Sequence, residues 1–254
     1  MTAATGPPSA SRRPLGWLLT WRYLLEYARR PLNLVLLAVV PVVFVTLSAG
    51  AIADFADVLG GFTDLGTVEA ATAGWAASLL AGIAGFFHVS GSRDVDRRLA
   101  AAGAGTWRVV AARMASGLGL AAVATIGALI ALAARTGLAD APRIIGVTFL
   151  MALIYFGIGT AVGAVVRSEV NGSLLVVFVW MFDVFFGPAM GGTGPIVRLF
   201  PLHFPTLVVT DVASGHDGPF GDVGLSALWA LGALFAGGAA LVATTRPAPL
   251  EAPR

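Results

Sequence analysis

Five charges within six residues, Arg93, Asp94, Asp96, Arg97 and Arg98, form the densest cluster of ionisable groups in this 254-residue chain. Mixed signs at this density suit docking, where complementary charge sets register and speeds encounter. The plain alternative is a solvated turn. A second candidate is Asp183, which falls in or near an apolar run. A carboxylate at the centre of a bilayer costs ~3 kcal/mol or more, so it must face protein or water. Asp183 either handles a substrate group or a proton, or lies close to the external interface and is solvated. Its neighbours Phe182, Phe185 and Phe186 suggest a constriction lined by aromatics.

Other chemistries are poorly served. His88, His203 and His216 have no ligand-like spacing. Ser90 and Ser92 stand near His88 but lack the setting of an activated nucleophile. There is no cysteine, which excludes disulfides, thiolate metal sites and thiol catalysis. All sixteen basic residues are arginine. A P-loop requires its lysine to reach the nucleotide phosphates, so a standard one is excluded, and ATP-driven work would need another subunit. The arginines flank apolar runs instead of forming a patch, which disfavours nucleic acid as a partner. No cofactor or metal is expected.

The elements that must hold these residues follow from composition. Hydrophobic residues make up 57% of the chain and charged residues 12%, and mean hydropathy is +0.85. Such a chain is a polytopic membrane protein. Residues 1–13 read as a disordered tail, 14–245 as one transmembrane domain and 246–254 as a short cytoplasmic tail. A helix from Pro14 to Arg30 carries Arg22, Glu26, Arg29 and Arg30 on one side and Trp17, Trp21, Leu24 and Ala28 on the other. It suits the membrane interface, although a basic flank with two belt tryptophans would look similar. Six spans are expected, at about 32–53, 70–91, 109–133, 144–166, 171–187 and 224–243. Residues 188–222 hold apolar pieces too short to span and read as a re-entrant or interfacial segment. Between the second and third spans, a short helix over about 94–102 precedes Gly103 and Gly105, which turn the chain toward Trp107. Thirteen arginines fall on the side of this loop and three, Arg135, Arg143 and Arg198, on the other. The richer side is expected to be cytoplasmic, with both termini there. Gly159 and Gly163 permit close helix packing, but a chain this rich in glycine contains such pairs by chance.

The loop resembles the one between the second and third spans of type-2 ATP-binding-cassette export permeases. Arg93, Asp94, Arg97, Arg98, Leu99, Gly103, Trp107, Arg108 and Arg113 occupy its typical roles, with Gly103 where the family often has proline. The resemblance extends over about residues 14–245, through the elbow-like first helix and the stretch from Phe185 to Asp211. It implies an all-α permease with no catalysis of its own, paired with a second copy or a paralogue and driven by two separate ATPase subunits. The expected substrate is amphipathic: a drug-like metabolite, a lipid or a lipid-linked glycan, exported across the plasma membrane. The five charges of the loop would then be the ATPase-coupling surface. The runner-up is an ion-coupled secondary transporter with Asp183 as its coupling acid.

Overall fold

The computed structural model describes residues 15–29, 31–61, 65–138, 140–192, 194–210 and 221–246. These are mostly helical, in nine α-helices: α1 (Leu15–Ala28), α2 (Pro31–Leu59), α3 (Leu65–Ser90), α4 (Arg93–Leu99), α5 (Thr106–Arg135), α6 (Ala141–Val165), α7 (Glu169–Phe185), α8 (His203–Thr210) and α9 (Asp222–Thr245). The tail expected at 1–13, the tail expected at 246–254 beyond Arg246, and His216 lie outside the described residues.

Five helices, α2, α3, α5, α6 and α9, are long and apolar enough to cross a membrane. Six were expected. The remaining one, α7, has 17 residues, a rise of about 25 Å against the ~30 Å of a hydrocarbon core. The chain breaks before it at Val166, whose extended backbone ends α6. Ser168 then caps α7 by accepting from the Asn171 amide at 3.2 Å, and Glu169 in the first turn complements the helix dipole.

The bundle is organised around α3. Of its most apolar window 78% is buried, against 22% for α2 and 28% for α9. Glycines make this possible. A Cβ on Gly159 of α6 would strike the Gly82 carbonyl of α3, and one on Gly163 would meet the Phe86 backbone. On the other side of α6, Gly157 lies against the backbone of Ala233 in α9. Both members of the Gly159/Gly163 pair are therefore at a helix–helix contact, not placed there by chance. Backbones this close gain dispersion contacts that larger residues would prevent.

The stretch after α7 forms two 3₁₀ turns, Pro188–Met190 and Val197–Leu199, before α8. Its α8 packs against α3, α6 and α9. Residues 211–220 are not among those described, so the re-entrant reading of 188–222 is followed only as far as Thr210.

An acid expected near water is buried. Glu69, expected in an open loop, lies in the first turns of α3 at 1% exposure. It is ion-paired to Arg135 of α5 at 2.8 Å, while Arg135 also donates to the Thr46 carbonyl of α2. Hydropathy alone does not register such a partner, which is what makes the acid tolerable at that depth.

Candidate functional site

The loop between α3 and α5 is a short helix, as expected, but it is built differently from a free charged knob. After α4, residues Ala100–Ala104 continue as a wide turn, and Gly103 and Gly105 take φ of 98° and 81°. Those angles lie in the region that favours glycine. Proline, locked near −65°, could not occupy Gly103 in this backbone. The chain then re-enters α5 past Trp107, which is exposed.

Of the five charges, Asp96 does not belong to the surface. It is 2% exposed. Its carboxylate accepts from Arg113 Nε at 2.9 Å and NH2 at 2.5 Å and from the Tyr23 hydroxyl at 3.2 Å. Arg113 is equally buried. Its guanidinium lies 3.7 Å from the centre of the Tyr23 ring and donates to the His88 carbonyl at 3.3 Å. His88 in turn bonds Ser116 through Nε2 at 2.7 Å. The Ser116 Oγ also lies 2.9 Å from the Arg113 carbonyl. One polar cluster thus joins α1, α3, α4 and α5. Burial and the Asp96 carboxylate push the Tyr23 phenol up to about 12, so it stays protonated and remains a donor.

Two more of the five charged side chains reach neighbouring helices. Arg93 donates to the Val166 carbonyl at the end of α6. Arg97 donates to the Thr244 carbonyl near the end of α9, at 3.3 and 3.4 Å. Cations at the last carbonyls of a helix satisfy orphan acceptors and complement the dipole. Thus α4 is bound to α1, α5, α6 and α9 at once. What it leaves exposed is Asp94, Val95, Arg97 and Arg98.

Tyr23 was not singled out in the sequence, and Arg113 was named there without its buried partner. Tyr23 carried no signal, since its partner lies 73 residues away. Arg113 did carry one: an arginine inside an apolar run must find an acid, and Asp94 and Asp96 are the acids of the adjoining loop.

Asp183 is buried at 2% exposure and is not solvated. Phe182, Phe185 and Phe186 are exposed, while Asp183 turns inward. It accepts from the Tyr155 hydroxyl of α6 at 2.7 Å. Both of its oxygens also accept from the Leu202 amide, at 3.0 and 3.1 Å. The carboxylate thereby fastens the segment that leads into α8 onto α6 and α7.

Comparison with curated proteins finds no match. A family model does match: residues 92–245 fit that of the ABC-2 family transporter protein. The matched region begins at the cap of α4 and runs to the end of α9, more than half of the chain. The protein belongs to the ABC-2 transporter family and is a multi-pass membrane subunit of an ATP-binding-cassette transporter, a class of chain that is normally not itself catalytic and works with an ABC ATPase.

Proposed function

We propose that this chain is the permease of an ATP-driven exporter in the plasma membrane, with residues 14–245 as its transport domain. Two copies, or one copy and a paralogue, enclose the path, and two ATPase subunits dock beneath α4. Both termini and α4 face the cytoplasm. The substrate is an amphipathic small molecule, a lipid or a lipid-linked glycan. The observation that carries this reading is the attachment of α4. An ATPase stroke is transmitted only by an element that does not yield, and α4 is tied to four helices through buried or capping contacts. Arg93, Asp96 and Arg97 transmit; Asp94 and Arg98 meet the partner.

The face of α7 supports pairing of copies. Leu174, Phe178, Phe182 and Phe185 form an exposed stripe at helical spacing. It borders a cavity of about 570 Å³ lined by Leu59, Phe186, Ile196 and Phe200 among others. The secondary-transporter reading loses its motive, because the Asp183 carboxylate is already occupied by Tyr155 and Leu202.

The test is charge reversal of the exposed pair, Asp94→Arg with Arg98→Glu, in the permease co-expressed with its ATPase. Loss of ATPase co-purification with normal membrane insertion is expected. Unchanged co-purification and unchanged ATP-dependent efflux would remove α4 as the docking surface.

A further inference from the structure

A groove of about 530 Å³ runs between α5 and α9, in the half of the bundle next to α4. Val110 and Val242 are its buried lining residues, and between them and the larger groups it is lined by residues with little or no side chain: Ala111, Gly238, Ala239 and Ala243. Its walls are large, with Trp107 and Met114 on α5 and Phe235 on α9. Trp107 and Phe235 are 72% and 78% exposed. The groove is therefore carved by sequence into the outer surface of two membrane-spanning helices. A single charge, Arg246, lines it, and no carboxylate does. Arg246 has no acidic partner among the described residues. It sits just beyond the last turn of α9, where a guanidinium on an apolar stem reaches the headgroup level. Arg97 lies against the same helix end, at the Thr244 carbonyl.

We infer that this groove is a binding site for one anionic phospholipid of the leaflet adjoining α4. The acyl chain lies along the small residues, the Trp107 indole marks the interface, and the headgroup phosphate pairs with Arg246. Three features select this occupant. The groove is apolar along its length, which suits a hydrocarbon chain and not a free phosphate. It lies between α5 and α9, two helices long and apolar enough to cross a membrane. Its only charge is positive and lies just past the end of α9, where an arginine attracts anionic lipid headgroups. A lipid held here would touch both the start of α5, which follows the Gly103–Gly105 turn, and the end of α9, which Arg97 ties to α4. It would sit beside the lever without being the transported molecule. The inference rests on the membrane-spanning helices alone and holds whichever leaflet proves cytoplasmic.

The experiment uses the purified full chain in vesicles of phosphatidylcholine. Part of the lipid is replaced by brominated phosphatidylglycerol or, at matched mole fraction, by brominated phosphatidylcholine. Bromine quenches indole fluorescence at short range, and subtracting Trp107→Phe isolates the signal of Trp107. Phosphatidylglycerol is expected to be enriched about fivefold at Trp107, the ratio that ~1 kcal/mol per arginine gives. Arg246→Gln should abolish the headgroup preference. Gly238→Leu should abolish it by filling the groove, and this variant is expected to fold, since a Cβ at Gly238 meets nothing within 4 Å. Equal quenching by the two lipids, or a preference that survives Arg246→Gln, overturns the proposal. So does protection of Trp107 from both lipids, which would mean that another protein chain covers the groove.

Discussion

Removing the Arg113 side chain, as in Arg113→Met, should be among the most damaging single changes in the protein. Asp96 would keep only the Tyr23 hydroxyl at 3.2 Å, inside a site where both partners are 3% exposed. Breaking a buried pair from one side costs ~3–5 kcal/mol, because the surviving charge is stranded. That is two to nearly four orders of magnitude in the ratio of folded to unfolded protein. Asp96→Leu should cost a comparable amount, since the guanidinium would retain only the His88 carbonyl at 3.3 Å and the Tyr23 ring. The double variant removes both charges and is expected near wild-type stability, as apolar replacements of buried pairs often are. The coupling energy of the cycle should thus exceed ~3 kcal/mol. Thermal or denaturant unfolding of the purified protein in detergent measures it. The double variant also separates stability from transmission: it should bind the ATPase yet move less substrate per ATP hydrolysed. Additive losses in the double variant, or single variants as stable as wild type, would refute the argument that the pair is buried and mutually dependent.

Three further outcomes are expected. The Tyr23 phenol is raised by burial and by Asp96, so its contribution is fully present below pH 10 and is lost as pH climbs toward about 12; the absorbance difference at 295 nm between wild type and Tyr23→Phe should step near the upper value, and a step at the ordinary tyrosine pKa would contradict the burial. Asp183→Ala should lower stability by ~2 kcal/mol or more, through the orphaned Tyr155 hydroxyl and Leu202 amide, whereas a stable variant with altered pH dependence of transport would restore Asp183 as a transport residue. Because the chain has no native cysteine, Asp57→Cys can report sidedness: labelling by an impermeant reagent in intact cells is expected, and labelling only after permeabilisation would reverse the orientation.

The membrane-spanning helices were legible because hydropathy integrates over twenty residues and is insensitive to any one of them. Their ends were not. The first span was expected to stop near residue 53, but α2 continues to Leu59, since helix propensity carries the backbone past the point where apolarity ends. The turn at Gly103 and Gly105 was legible, because two glycines so close together mark a backbone that other residues resist. The roles of the loop charges were not. Whether Asp96 faces a partner or Arg113 depends on how the chain returns across that turn, and no local pattern encodes the return. Asp183 was hidden for a different reason: one of its partners is the backbone amide of Leu202, which every residue but proline possesses.

The close approach of α3, α6 and α9 has a mechanical consequence. Where Gly159 meets the Gly82 carbonyl and Gly157 meets Ala233, no side chain intervenes to flex or change rotamer. Sliding one helix past another by a single residue would drive Cβ atoms into backbone. These three helices should behave as a fixed chassis, and α4, fastened to the ends of two of them and bridged to α3 by Arg113, as a bracket welded to its rim. A push on that bracket then tilts the chassis as one piece. The strain falls at the seams with α2, the least buried of the five long helices, and with α7.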